Sequence, residues 1–418
     1  MAVMSLAHAD EYDLVIASAN PTPVHEELEH AFEHHLRRDV NIRWIENSGG
    51  TLFKLIQAAD KGGSLGMDVY FGGGVADHEL AARRGWLEIA DLPPEALAGI
   101  PNELGGVPLR DPGGHWHAAA LATLGILANR RGLETRGLPV PQSWHDLADP
   151  QMRDWIVLAD PRSSSSTRTC YELILQHYGW EEGWRILMQT AGNARTISDA
   201  GFRLVNEIAS GDSLAGPCID LLGRPRATAD GSRLMFIVPP GSTVTPDPIS
   251  LFRDPPHRAL AEQFIAFVLS DEAQKLWLLP PGAAGGPQKH RLFRLPVRPT
   301  AYSAEFGDIN PFRRTEAGIV HKFDYALHHR RAGLVAELFG AAGVDLHAEV
   351  TATWKTIVER GLPPSMIAEF SRPPLAEAQV EQAAQSLQRA SDRERRAMRK
   401  EWRDFFRSNF DRIAKSPP

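Results

Sequence analysis

In the first third of the chain, short apolar runs each lead into a stretch of helical character, and this alternation constrains the fold more than any other feature. "DLVIASA" reads as a buried strand. "NPTPVHEELEHAFEHHLRR" reads as a helix, with Thr22 as its cap, Pro23 at its first position and Val24, Leu28, Phe32 and Leu36 as its apolar stripe. "NIRWIEN" followed by "TLFKLIQAAD" repeats the pattern, as does "MDVYFGGG" followed by "VADHELAARRGW". Strand–helix–strand order of this kind implies a parallel sheet with crossover helices. A second alternation begins near "WIVLAD" and runs through "LAGPCID".

At 418 residues the chain is too long for one compact core, so two or more lobes are expected. The net charge of −7 argues against nucleic acid as a partner, because phosphate-backbone binding needs a basic surface. No apolar run is long enough to span a bilayer. Two cysteines, Cys170 and Cys218, exclude a disulfide-dense scaffold and are read as buried thiols, with a single bridge as the alternative. Ala7-His8-Ala9 has the small-x-small form of a signal-peptidase site, and residues 1–9 are read as the tail of an export signal.

In open α/β sheets ligands bind beyond the carboxyl ends of strands, where helix N-termini offer free N–H groups. Glycine and hydroxyl residues gather at those places. Ser18 and Asn20 follow the first strand, Gly50 and Thr51 the second, and Gly73 and Gly74 the third. Ser164, Ser165, Ser166 and Thr167 follow "WIVLAD", flanked by Arg162 and Arg168, and Asp220 follows "LAGPCI". Neutral donors at helix N-termini suit an anion or a polyol. The histidine pairs His30/His34 and His115/His117 lack the spacing or third ligand of a zinc site. No Gly-x-Ser-x-Gly elbow, Gly-Lys-Ser/Thr phosphate loop or Gly-x-Gly-x-x-Gly turn after a strand is present. No catalysis, cofactor or metal is therefore expected.

The order of "VNIRWIENSGGTLFKLIQ", "MDVYFGGG", "HWHAAALATLGILANRRGL", "QSWHDLADPQMRDWIVLADPRSSSSTRT", "EEGWRILMQTAGNA", "VNEIASGDSLAGPCID" and "EQFIAFVLSDEAQKLW" resembles the type 2 periplasmic solute-binding proteins of ABC importers. The likeness is strongest to the branch holding ferric-iron, sugar-phosphate and 2-aminoethylphosphonate binders, and it covers about residues 12–300. It implies an α/β, type 2 periplasmic-binding-protein fold of two lobes joined by two extended crossings, near 117–126 and 234–242. Lobe one is then residues 10–118 and 237–315, and lobe two is 119–236. Residues 316–418 form a C-terminal helical extension, expected to pack on lobe one. The ligand contacts implied are Ser18, Asn20, Gly50, Thr51, Gly73 and Gly74 in lobe one, and Ser164, Ser165, Ser166, Thr167 and Asp220 in lobe two, around an inter-lobe cleft. Iron-binding members carry two adjacent tyrosines near "CIDLLGRP"; here Leu221 and Leu222 stand there, which argues against direct iron capture.

The expected function is a periplasmic, monomeric binding protein that hands a small anionic solute (a sugar phosphate, phosphonate or carboxylate) to an inner-membrane ABC permease. A polyamine or other cation is the alternative solute, for which Asp68, Asp220 and Asp247 are the available carboxylates. A ligand-sensing module for a signalling partner is the alternative role. An enzyme using Ser165 or Thr167 lacks an identifiable base.

Overall fold

A computed structural model describes residues 11–199, 201–318, 320 and 322–416; the export-signal reading of residues 1–9 lies outside them. In chain order the first elements are β1 (Leu14–Ser18), α1 (Thr22–Leu36), β2 (Ile42–Glu46), α2 (Gly49–Ala59), β3 (Val69–Phe71), α3 (Val75–Arg83) and β4 (His117–Asn129). Next come β5 (Ile156–Ala159), α4 (Ser165–Tyr178), α5 (Trp180–Asn193), β6 (Ala194–Ser198), α6 (Gly201–Ser210), β7 (Ala215–Ile219), α7 (Asp220–Ala229) and β8 (Leu234–Ile237). The chain continues through β9 (Val244–Phe252), α8 (Arg258–Val268) and α9 (Asp271–Leu278). It ends in five helices, α10 (Tyr325–Phe339), α11 (His347–Glu359), α12 (Pro364–Ser371), α13 (Glu377–Arg389) and α14 (Asp392–Lys415).

The fold is the two-lobed α/β fold that the strand–helix alternation predicts. Unit one comprises residues up to 122 together with 244–317, and unit two comprises 123–243 together with 318 onward. The chain therefore passes between units at 122/123 and 243/244, a few residues after the expected boundaries of 118/119 and 236/237, and once more at 317/318.

In unit one, β1 pairs parallel with β2 and with β3, and β9 runs antiparallel to β3. Alternate residues of β1 feed opposite faces of this sheet. Leu14 and Ile16 join Phe32, Phe71, Phe264 and Trp277 on one side, while Val15 and Ala17 join Leu52, Ile56, Tyr70 and Trp86 on the other. A strand covered on both faces has no polar side to show, which is why "DLVIASA" carries an apolar run rather than an alternation. In α1 the cap is Pro21 rather than Thr22, whose hydroxyl instead donates to Glu46.

In unit two, β4 pairs antiparallel with β7 and β8, β7 parallel with β5, and β5 parallel with β6. The five C-terminal helices belong to this unit, not to lobe one as expected. The reason is a buried anchor. Arg331 of α10 donates to the fully buried Glu172 of α4 at 2.9 and 3.1 Å, and Trp354 of α11 donates to Asn193 of α5 at 2.7 Å. Ser242 and Val320 add a parallel bridge between the same two chain segments. Among the described residues, no helix is long and apolar enough to cross a membrane.

Candidate functional site

The loops after β1, β2 and β3 meet. A Cβ placed on Gly73 would lie 3.7 Å from Ala19 Cβ and 3.9 Å from Gly49 Cα, ordinary contact distances that put the three turns side by side. Gly72 and Gly73 both have positive φ, and Gly74 caps α3. Ser18 is buried; its Oγ accepts the Asn20 N–H at 3.1 Å and lies 2.8 Å from His25 Nε2. Asn20 is 1% exposed. Its Oδ1 accepts from Arg294 at 3.1 Å, and its Nδ2 has no hydrogen-bond partner among the described residues. Gly50 and Thr51 sit in the exposed first turn of α2, where the Ser48 hydroxyl donates to Thr51 Oγ1. Structure thus brings Ser18, Asn20, Gly73 and Gly74 together and leaves Gly50 and Thr51 on the surface beside them.

Two residues of this cluster escaped the sequence reading of the site. Arg294 lies in the stretch 280–312, whose Pro/Gly-rich composition reads as connecting chain. It is nevertheless 8% exposed, with its Nε 3.5 Å from Asp247 Oδ2. Burial raises the Asp247 carboxyl, against the pull of Arg294 and of the Gly73 N–H it accepts. The signal was present: Leu292, Leu295 and Val297 bracket Arg294 with the buried-residue spacing of ordered chain. The stretch is pinned at both ends. Glu27 accepts three N–H groups, from Gln288, Lys289 and His290, each at 2.6 Å. Gln274 accepts from Val297, and Arg298 donates to the carbonyls of Glu95, Ala96, Ala98 and Leu269.

In unit two the four serines begin α4. Ser164 is its N-cap, accepting from Thr167 N at 3.3 Å and from Thr167 Oγ1 at 2.9 Å. Ser165 is exposed. Ser166 and Thr167 line a small open pocket together with Leu124, Gly201, Pro217 and Ile219, with Cys170 and Cys218 among its further lining residues. Three helices of ten or more residues, α4, α6 and α7, start at this pocket, so their N–H groups and dipole ends converge on it. Asp220, the first residue of α7, is fully buried and accepts from Thr123 Oγ1 at 2.9 Å; it holds the strand end rather than lining the pocket. Neither flanking arginine turns to the pocket. Arg162 bridges Asp160 and Asp345, and Arg168 donates to the carbonyls of Pro161 and Arg162. Both cysteines are free and buried, and burial pushes both thiols up.

Two buried histidines support the unit-one turns in neutral form. Burial lowers His25 to about 4, against the opposing pulls of Glu46 and the Asn20 backbone. Burial lowers His78 to about 3, against the Gly72 carbonyl to which it bonds. In the unfolded chain both titrate near 6.5, so between about pH 6.5 and 4 the unfolded state binds more protons and stability falls as pH falls. Urea denaturation at pH 7 and pH 5 is expected to show a loss of up to roughly 2 kcal/mol from each histidine. Asp247, Glu29 and Glu172, all raised chiefly by burial, work in the opposite sense and offset part of it.

Residues 78–279 match the model of a family described as bacterial extracellular solute-binding protein. That stretch of the chain is similar to this family. Over 159 residues, 38% of this chain and 40% of its relative, there is 32% identity to the phosphoglycerate transport regulatory protein PgtC of Salmonella typhimurium. The match thus spans two fifths of that relative's length. The fold is shared with the periplasmic binding protein AfuA from Actinobacillus pleuropneumoniae, solved with exogenous fructose 6-phosphate bound. The likeness to AfuA has a TM-score of 0.60 at 20% identity and covers 84% of this chain and 99% of that one. Iron-bound HitA from Pseudomonas aeruginosa has the same fold, with a TM-score of 0.52 at 18% identity over 72% of this chain and 98% of its own. The fold is therefore shared with binding proteins of the branch that the strand and loop order resembles.

Proposed function

We propose that this chain captures a small solute bearing an oxyanion, of the sugar-phosphate, phosphonate or carboxylate class, in the periplasm and hands it to a membrane permease. The observation that carries the reading is the unit-two pocket, where Ser166 and Thr167 stand at one of three converging helix N-termini. In this reading unit one offers Ser18, Asn20, Gly50, Thr51, Gly73 and Gly74 to a solute, and unit two offers Ser164, Ser165, Ser166 and Thr167, with Asp220 supporting them from behind through Thr123. A fructose 6-phosphate in AfuA and a phosphoglycerate transport role in the name of PgtC support a phosphate ester as the first class to test.

A cation suits the residues less well. Asp68 already accepts from Val15 N and His257 N, Asp220 from Thr123, and Asp247 from Gly73. The carboxylates a polyamine would need are each engaged. Nothing in the pocket supplies a base to a serine or threonine nucleophile, so binding without turnover is the consistent reading. The sensing role keeps one specific support, the word "regulatory" in the name of PgtC. The two roles separate on whether binding-dependent uptake of labelled solute is lost when the gene is deleted.

The test is a thermal-shift panel of fructose 6-phosphate, 3-phosphoglycerate, inorganic phosphate, 2-aminoethylphosphonate, simple carboxylates, spermidine and ferric citrate. A ligand present at a hundred times its Kd stabilises the folded state by about 2.7 kcal/mol. A shift with phosphate or carboxylate solutes, weakened roughly tenfold in affinity by Ser166→Ala with Thr167→Val, is the expected result. A shift with spermidine alone overturns the reading.

A further inference from the structure

Asn20 and Arg294 come from distant parts of the sequence to one spot in unit one. A guanidinium only donates, so the Asn20 amide must turn its Oδ1 toward Arg294 and its Nδ2 away. The Gly72 backbone lies against that amide. A Cβ there would lie 2.6 Å from Asn20 Nδ2, and the glycine has φ +77°, so the position excludes any side chain. The result is two donors, Asn20 Nδ2 and Arg294 Nε, both buried and both without a hydrogen-bond partner among the described residues. Buried donors of this kind cost about 1–3 kcal/mol each when left unmade, so an oxyanion that completes both is stabilising here.

The surrounding chain holds the pair rigid. Arg294 donates its N–H to Trp277 O at 3.1 Å, and Leu295 makes a two-way bridge to Leu121 at 2.7 and 2.9 Å. Phe293, just before it, has φ +53°, a left-handed turn rare for an aromatic residue. Asp247 sits on the other side of the guanidinium, with Nε–Oδ2 at 3.5 Å, too long for a hydrogen bond. Asp247 is itself tied to the Gly73 N–H. It restrains the arginine without consuming its donor.

We propose that Arg294 and Asn20 are the oxyanion anchor of unit one, taking a phosphate or carboxylate group of the solute, with Asp247 as the carboxylate that poises Arg294 and limits its affinity. The proposal rests on the oxyanion reading above and sharpens it. It assigns a full positive charge to a site for which the sequence offered only neutral donors.

Isothermal titration with fructose 6-phosphate and 3-phosphoglycerate tests it, on wild type, Arg294→Lys, Arg294→Gln and Asp247→Asn. Arg294→Gln is expected to weaken the better of these two probes roughly 100-fold, and Arg294→Lys, which keeps charge but loses the fork, to recover part of that. Asp247→Asn keeps the acceptor for Gly73 but removes the repulsion, and is expected to tighten binding about tenfold. A gain of affinity cannot arise from misfolding, so this variant decides even where the arginine variants fold poorly. Wild-type binding of either probe with unchanged affinity in Asp247→Asn and Arg294→Lys sinks the anchor and leaves the oxyanion reading standing. No wild-type binding of either probe counts against the phosphate-ester reading itself, and the anchor for such esters falls with it.

Discussion

Arg331→Leu is expected to lower the stability of unit two by about 3–5 kcal/mol, because it strands a buried charge. Arg331 is 3% exposed and donates from Nε to both oxygens of Glu172, which is fully buried. Its guanidinium carbon also lies 5.2 Å from the Trp180 ring centroid. Burial already raises the Glu172 carboxyl, and Arg331 is the strongest pull in the other direction. Without the arginine, Glu172 keeps one donor in the Gln176 side chain, at 2.8 Å, and would take up a proton. The deficit should therefore shrink as pH falls below neutrality, since the protonated acid no longer carries the buried charge. Adding Glu172→Leu to Arg331→Leu should restore most of the lost stability, because an apolar pair needs no desolvation of ions. Urea denaturation of the three proteins at pH 7 reads these values. Equal stability of wild type and Arg331→Leu would mean that the C-terminal helices are held by apolar packing alone.

The second large effect is at Trp354. Trp354→Ala should cost about 3–5 kcal/mol, as expected for a fully buried tryptophan. The ring packs on Gly192, where a Cβ would lie 2.4 Å from its Cγ, and stacks on Phe370 at 5.5 Å. Its Nε1 donates to Asn193 Oδ1, while Asn193 Nδ2 donates to the carbonyls of Leu147 and Asp149. Removing the ring thus opens a cavity and strips an acceptor of its donor together. The converse variant, Gly192→Ala, forces α5 and α11 apart and should cost roughly 1–3 kcal/mol by overpacking. Hydrogen exchange should show lost protection in α5 and α11, with unit one unchanged. Loss spread evenly over both units would show that they unfold as one body.

What the sequence made legible follows from where the information lies. The strand–helix alternation of unit one is local: β1 is apolar because both of its faces are covered, and that is visible in five residues. The serines were legible as a helix start, and the structure makes Ser164 its cap. Their division of labour was not. Ser164 turns inward to Thr167 while Ser166 lines the pocket, and only the backbone path decides which hydroxyl faces where. Arg294 was hidden because proline and glycine near it signal turns, whereas the restraints that order it come from Glu27 and Gln274. The docking of the C-terminal helices on unit two depends on Glu172 meeting Arg331, 159 residues away, and no local pattern reports that pairing.

The third passage of the chain between units, at 317/318, sets an order of completion during synthesis. Chains emerge from the ribosome N-terminus first, at roughly 5–20 residues per second. Unit one has all of its sequence once residue 317 is made. Unit two must wait for the segment from residue 318 onward, and through that interval Glu172 has no arginine and Asn193 no tryptophan. The middle of the nascent chain is therefore held incomplete until the helices from residue 325 onward arrive.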